Sequence, residues 1–192
     1  ELIHFVDPGL DRIKKDAGFG VDIAQKKVLE TLEWIANCHV DAILMTCTFF
    51  TAIYDEEVHR FPIPIIRIDD PLFADICQLN QPVLVAFTNP STVQGTMNQL
   101  TAYANRKGVT LDVESFLVEN TFELIMQGKK EAYTQAVSQG LIQLLAGNPT
   151  KRVVAAQLSM VPAAQTAATQ AGRSVGNQLD SLADYLRSVL AI

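Results

Sequence analysis

The chain has 192 residues, 48% of them hydrophobic and 19% charged, enough apolar material for one large domain or two small lobes. A formal net charge of −6 and a pI near 5.0 argue against a nucleic-acid binder, which would carry a basic face. No apolar run approaches the length of a membrane span, no polybasic segment suggests a membrane surface, and the first residues do not read as a signal peptide.

In chain order, residues 2–6 (Leu-Ile-His-Phe-Val) read as the first strand, with the turn signal Asp7-Pro8-Gly9 after it. Nothing precedes that strand, which leaves room for a natural start upstream. Residues 10–20 are polar and loosely patterned. Residues 21–38 place Ile23, Ala24, Val28, Leu32, Ile35 and Ala36 at helical spacing. The apolar run 42–45 then predicts a short strand buried on both faces, ending abruptly in Thr46-Cys47-Thr48. A short helix is expected over 49–60 and a strand over 65–68. Asp70 is a candidate N-cap, with Pro71 at the first helical position of a helix to about 79.

Gln81-Pro82 breaks the pattern and is the expected boundary between lobes. Residues 83–87 predict a buried strand and 88–92 a polar turn, from which Ser91 would cap a helix over 92–107 stopped by Gly108. A strand follows at 111–118 and a short helix from Asn120 or Thr121 to 127. Gly128 separates it from a longer helix over 129–145. Residues 151–157 predict a strand, 160–171 a helix, 173–175 a short strand and 177–190 a closing amphipathic helix. Strands alternating with helices predict an α/β protein with parallel sheets covered by helices.

Small polar groups fall at four predicted strand ends: Thr46-Cys47-Thr48, Thr88-Asn89-Pro90-Ser91-Thr92, Gln157-Leu158-Ser159 and Gly176-Asn177. The carboxyl ends of strands are where open α/β sheets bind ligands. Hydroxyls and backbone N–H groups in such loops suit a small carboxylate or phosphate. Any one Ser, Thr or Asn taken alone is better explained as a helix cap. A cysteine at a strand end, just before a helix, can have its thiolate stabilised by the helix N-terminus. Cys47 is therefore the candidate acid/base or nucleophile, against the alternative of an inert core thiol. Cys38 and Cys77 read as structural, and three cysteines without metal-ligand spacing point to a reducing cytoplasm. His4 reads as a core histidine, and no metal cluster is evident.

Thr46-Cys47-Thr48 after Asp41-Ala42-Ile43-Leu44 resembles the first cysteine motif of the aspartate/glutamate racemase superfamily. Ile65-Ile66-Arg67-Ile68-Asp69-Asp70-Pro71 is similar to the segment that follows it. Residues 153–160, Val-Val-Ala-Ala-Gln-Leu-Ser-Met, are similar to the second-cysteine strand of a divergent branch, and His4-Phe5-Val6-Asp7 to an early strand of the same branch. The resemblance implies two α/β lobes with parallel sheets, related by a pseudo-twofold, with the active site in the cleft between them. One lobe would comprise 1–80, completed by the C-terminal helix 177–192, and the other 81–176. It also implies cofactor-free proton transfer at a carbon next to a carboxylate, and it is compatible with a homo-oligomer.

A racemase needs a base on one face of the substrate and an acid on the other. Cys47 matches the first cysteine, whereas Gln157 stands where the second would be, and an amide neither gives nor takes a proton at neutral pH. The family's first strand and acidic-serine loop have no counterpart in these residues. The expected reading is an enzyme that binds a small carboxylic or amino acid. Cys47 would be the catalytic thiol, and Thr46, Thr48, Thr88, Ser91, Thr92, Gln157 and Ser159 would hold the carboxylate. A lyase, decarboxylase or cis–trans isomerase using one thiol fits the same residues, as does a non-catalytic carboxylate-binding protein.

Overall fold

The structure, a computed structural model, describes residues 1–13, 16–56 and 58–190, apart from the side chains of Pro8, Leu10, Asp11, Thr48 and Phe49. The first elements are α1 (Pro8–Ile13), α2 (Val21–Ala36), β1 (Ile43–Met45), α3 (Thr48–Ile53), β2 (Ile65–Arg67) and α4 (Asp70–Gln78). They are followed by β3 (Val83–Phe87), α5 (Pro90–Arg106), β4 (Val113–Leu117), α6 (Phe122–Met126) and α7 (Lys130–Gly147). The last are β5 (Arg152–Ala155), a 3-10 turn at Leu158–Met160, α8 (Val161–Ala171), β6 (Gly176–Asn177) and α9 (Gln178–Leu190). The chain divides into two units, Glu1–Arg67 and Ile68–Ile192.

In the first unit β1 and β2 pair in parallel, Ile43 opposite Ile65 and Met45 opposite Arg67. Ala24, Val28, Leu32 and Ile35 recur at helical spacing and form the buried stripe of α2. Three of them pack with Ile43, Met45 and Tyr54. Successive side chains of a strand point to opposite faces, so Leu44 lies on the other side of the pleat. It is 38% exposed. This strand is therefore covered on one face within its unit, not on both as its apolar run predicts.

The expected strand over 2–6 does not form. None of these residues joins the β1–β2 ladder; Leu2, Ile3, Phe5 and Val6 are exposed, and His4 is exposed instead of buried in a core. Without a ladder partner the backbone polar groups of such a segment stay with water. The Asp7 carboxylate accepts the Gly9 N–H at 2.9 Å at the entrance to α1, where the sequence suggests only a turn. Helix α3 stops at Ile53, short of the expected 60, because Tyr54 turns extended and its hydroxyl donates to the His59 carbonyl at 3.0 Å. Burial and the nearby Glu56 carboxylate push the Tyr54 phenol above its usual range, with Arg67 opposing and Asp55 reinforcing.

The second unit is built on a parallel four-stranded sheet in the order β4-β3-β5-β6. Every residue of β3 is buried, as an apolar run between two helical layers requires. Its alternation sorts the core. Leu84 and Ala86, with Val153 and Ala155 of β5, pack with Tyr133, Val137 and Leu141 of α7 and Ala163, Ala164 and Ala167 of α8. Val83, Val85 and Phe87, with Val154, pack with Leu72, Phe73 and Ile76 of α4 and Leu100 of α5. The result is the parallel α/β architecture that the strand–helix rhythm predicts.

This division differs from the expected lobes, 1–80 with 177–192 and 81–176, in where α4 and α9 fall. These helices pack on each other, and α4 seals one face of the second sheet.

Local chemistry moves several boundaries. Asp69, not Asp70, holds the N-cap position of α4, and it makes no side-chain cap because Gln178 Nε2 donates to its carboxylate. Asn89, not Ser91, caps α5: its Oδ1 accepts from the Ser91 N–H at 3.0 Å, which starts the helix at Pro90. Gly108 ends α5 as expected, at φ +68°, with the Val109 N–H reaching Ala104 and the Gly108 N–H reaching Asn105. The short strand expected at 173–175 lies instead at Gly176–Asn177, beside Val154 and Ala155.

Gly140 of α7 gives a direct test of this packing. A Cβ there would come within 2.7 Å of Val118 Cγ1, and Val118 is a buried β-branched side chain with little freedom to move. Gly140→Ala should lower stability despite gaining about 1 kcal/mol of helix propensity, because overpacking costs about 1–3 kcal/mol. In a Val118→Ala background the same change should stabilise. Urea unfolding of the four proteins checks this, and an unchanged Gly140→Ala penalty in both backgrounds would contradict the contact.

Candidate functional site

Parallel pairing of β3 with β5 sets Ala86 opposite Ala155, and the ladder continues with the Ala156 N–H donating to the Ala86 carbonyl at 3.0 Å. The two chains leave the sheet side by side at its carboxyl edge. Thr88 and Asn89 emerge from β3 next to Gln157, which follows β5. Gln157 Oε1 accepts three hydrogen bonds there: from the Thr88 N–H at 2.7 Å, the Thr88 hydroxyl at 2.9 Å and the Asn89 N–H at 3.2 Å. Backbone N–H groups can only donate, so the amide must turn its oxygen towards them. Its Nε2 then donates outward to Thr92 Oγ1 at 3.3 Å.

This orientation fixes the direction of every proton behind it. The single hydroxyl proton of Thr88 goes to Gln157. The Tyr133 hydroxyl, 3.0 Å from Thr88 Oγ1, must therefore donate to Thr88. Its own proton is then committed, so the Ser159 hydroxyl, 2.9 Å away, donates to Tyr133. The chain runs Ser159 to Tyr133 to Thr88 to Gln157, from an exposed serine through two buried hydroxyls to a half-buried amide. On the α5 side the Ser91 hydroxyl donates to Asn89 Oδ1 at 2.7 Å and the Thr92 hydroxyl to the Asn89 carbonyl at 2.9 Å. Ser91, Thr92, Thr88 and Ser159 thus all give their protons inside the protein.

Of the residues expected to act together, Thr88, Ser91, Thr92, Gln157 and Ser159 gather in the second unit at this edge. Thr46 and Cys47 belong to the first unit, at the carboxyl end of β1. Thr46 is exposed and Cys47 half-buried, in extended conformation at φ −97° and ψ 115°, with its carbonyl accepting the Thr51 N–H at 3.0 Å. Cys47 is the N-cap of α3 but makes no side-chain cap. Thr48 opens α3, and its side chain lies outside the described residues. Cys38 is exposed and its thiol donates to the Trp34 carbonyl at 3.3 Å. Cys77 is half-buried in α4, where burial pushes its thiol up and Lys107 partly opposes this.

The fourth polar loop does a different job. Asn177 is buried; its Oδ1 accepts the Asp180 N–H at 3.0 Å and its Nδ2 donates to the Asp180 carboxylate at 2.7 Å, so it ties down the start of α9. Tyr133 was not expected at the site. Its spacing with Val137, Leu141 and Leu144 marks it as a core residue of α7, and only the third dimension brings its hydroxyl to Thr88. Among the described residues, no three His, Cys, Asp or Glu side chains gather as metal ligands, and no helix is long and apolar enough to cross a membrane.

No family model matches the sequence, and no curated protein matches it by sequence. Solved structures do match. A glutamate racemase from Bacillus anthracis superposes with a TM-score of 0.61 at 16% identity, over 93% of this chain and 69% of that one. A glutamate racemase from Francisella tularensis, in complex with D-glutamate, gives 0.58 at 14% identity, over 90% and 65%. An allantoin racemase from Pseudomonas fluorescens gives 0.60 at 11%, over 92% and 74%. This chain therefore spans roughly two thirds of the length of the two glutamate racemases. At these identities the likeness establishes the fold alone: the chain has the α/β fold of these racemases.

The directed network has a measurable signature. Tyr133→Phe removes the donor to the buried Thr88 oxygen and the acceptor of the Ser159 proton, and should cost about 1–3 kcal/mol. In a Thr88→Val background the same change should cost clearly less, since the two hydroxyls act as neighbours. A denaturant double-mutant cycle reads this directly; additive losses would mean that the two hydroxyls are independent.

Proposed function

We propose that this chain is a racemase-like enzyme that moves a proton at the carbon next to the carboxylate of a small amino or carboxylic acid, without a cofactor. Cys47 is the proposed acid/base, with Thr46 and Thr48 beside it. Thr88, Ser91, Thr92, Gln157 and Ser159 are the proposed polar lining for the carboxylate and the charge that develops on it. The observation that carries this reading is the likeness to racemases over nine tenths of the chain, one of them holding D-glutamate. A half-buried cysteine at the carboxyl end of β1 supports it, because that edge of a parallel sheet is where ligands bind. The three free thiols suit a reducing cytoplasm.

One observation favours a one-sided variant of the chemistry. By the resemblance Gln157 stands where a second thiol would be, and its amide oxygen is held by three donors. Such a group cannot transfer a proton at neutral pH. With a single acid/base, decarboxylation followed by protonation, or isomerisation through a thioether to Cys47, uses the same scaffold.

Incubation with a panel of amino and hydroxy acids in D2O tests both forms. Deuterium should enter at the carbon next to the carboxylate for at least one acid, and Cys47→Ala should slow this by roughly 100-fold or more, the scale of a lost general acid/base. Exchange with inversion identifies a racemase, and exchange with retention or CO2 release identifies the one-sided reaction. Exchange that persists in Cys47→Ala would remove the thiol from the mechanism, and saturable binding without exchange by any acid would make the chain a binding protein.

A further inference from the structure

We infer that Thr88 and Asn89 form a carboxylate cradle that the protein fills with its own Gln157 amide, and that a ligand carboxylate enters by displacing that amide. Three donors converge on one oxygen atom, at 2.7, 2.9 and 3.2 Å: two successive backbone N–H groups and a hydroxyl. Successive N–H groups aimed at one point form a concavity for an anion, and the two Thr88 distances, 2.7 and 2.9 Å, are those of donors that stabilise an oxyanion. A neutral amide oxygen uses this geometry at only part of its strength, since hydrogen bonds to an ionised acceptor are about twice as strong.

The donors, Thr88 and the N-cap Asn89, lie between the end of β3 and the first turn of α5. That turn is already satisfied: the Ser91 N–H goes to Asn89 Oδ1 and the Thr92 N–H to the Asn89 carbonyl. The hydroxyl donor is held in place from behind, because Tyr133 is buried and donates to Thr88. Thr88 therefore has its proton free only for the cradle.

Gln157 is placed to leave. It is half-buried, and exposed Leu158 and Ser159 follow it. Among the described residues, its side chain is held beyond the oxygen by the 3.3 Å bond from Nε2 to Thr92. The network residues Thr88, Asn89, Ser91, Thr92, Tyr133, Gln157 and Ser159 include no cation, which suits a singly charged carboxylate better than a phosphate dianion that recruits Arg or Lys. The nature of the ligand as a small acid rests on the reading under Proposed function; the cradle itself rests on the geometry alone.

Amide NMR tests it, with acetate as the probe. In Gln157→Ala the Thr88 and Asn89 N–H resonances should move downfield with acetate and saturate. The half-point should be at least tenfold lower than for any such shift in the unaltered protein. A folded Gln157→Ala protein whose two amides ignore acetate, or that binds no better than the parent, overturns the inference. Gln157→Glu decides the matter if the alanine variant does not fold. A tethered carboxylate in the cradle should titrate below the ordinary glutamate value of about 4.3, and acetate should then add nothing. A midpoint at or above that value for the introduced carboxylate also overturns the inference. Deuterium exchange by the unaltered protein without an acetate response in these variants would refute the cradle alone. An acetate response without exchange by any acid would leave the cradle as an anion site and refute the catalytic reading.

Discussion

The register of β3 against β5 is the constraint on which the second unit depends. Pairing Ala86 with Ala155 puts the last residues of two parallel strands at the same level, so that the backbone leaving one strand meets the side chain leaving the other. A slip by one residue would turn Thr88 and Gln157 to opposite faces of the sheet. The register is held because both faces of the sheet are buried. Leu84, Ala86, Val153 and Ala155 serve the α7–α8 side, and Val83, Val85, Phe87 and Val154 serve the α4–α5 side. Core packing and the polar edge are thus consequences of the same alignment.

Above that edge the chemistry is directional. Two backbone N–H groups force the Gln157 oxygen inward, and each hydroxyl in turn has only one way to give its proton, out to Ser159. A chain that ends on an amide is a clamp and not a relay, since the amide cannot accept the proton it is offered. Buried hydroxyls tolerate such a position only because each is satisfied on both sides. This is why Tyr133, whose spacing marks it as core, belongs to the site as much as the threonines do.

The first unit carries the thiol and the second carries the cradle, and their chemistry differs accordingly. Cys47 sits where strand β1 gives way to a short helix, with its side chain uncommitted as a cap. Gln157 occupies its own binding geometry. Both units lie within the span that superposes on the racemases, which share the α/β fold.

Periodicity alone determined most of the architecture: the buried stripe of α2, the fully apolar β3, the alternation of strands and helices and the Gly108 stop are local features, set by side-chain spacing and backbone freedom. The polar strand ends at 46–48, 88–92 and 157–159 were equally legible, because small polar residues after an apolar run mark an exit from a sheet. Residues 2–6 misled because a strand-like pattern is no strand without a neighbour to bond. Leu44 misled because burial on a second face needs a second layer. What only the tertiary structure decided is the partner of each polar atom. That Asp69 is taken by Gln178 and that Tyr133 stands behind Thr88 depend on residues far apart in the chain. Hydrogen bonds have direction and short reach, and no pattern along a sequence specifies which distant donors will converge on one oxygen.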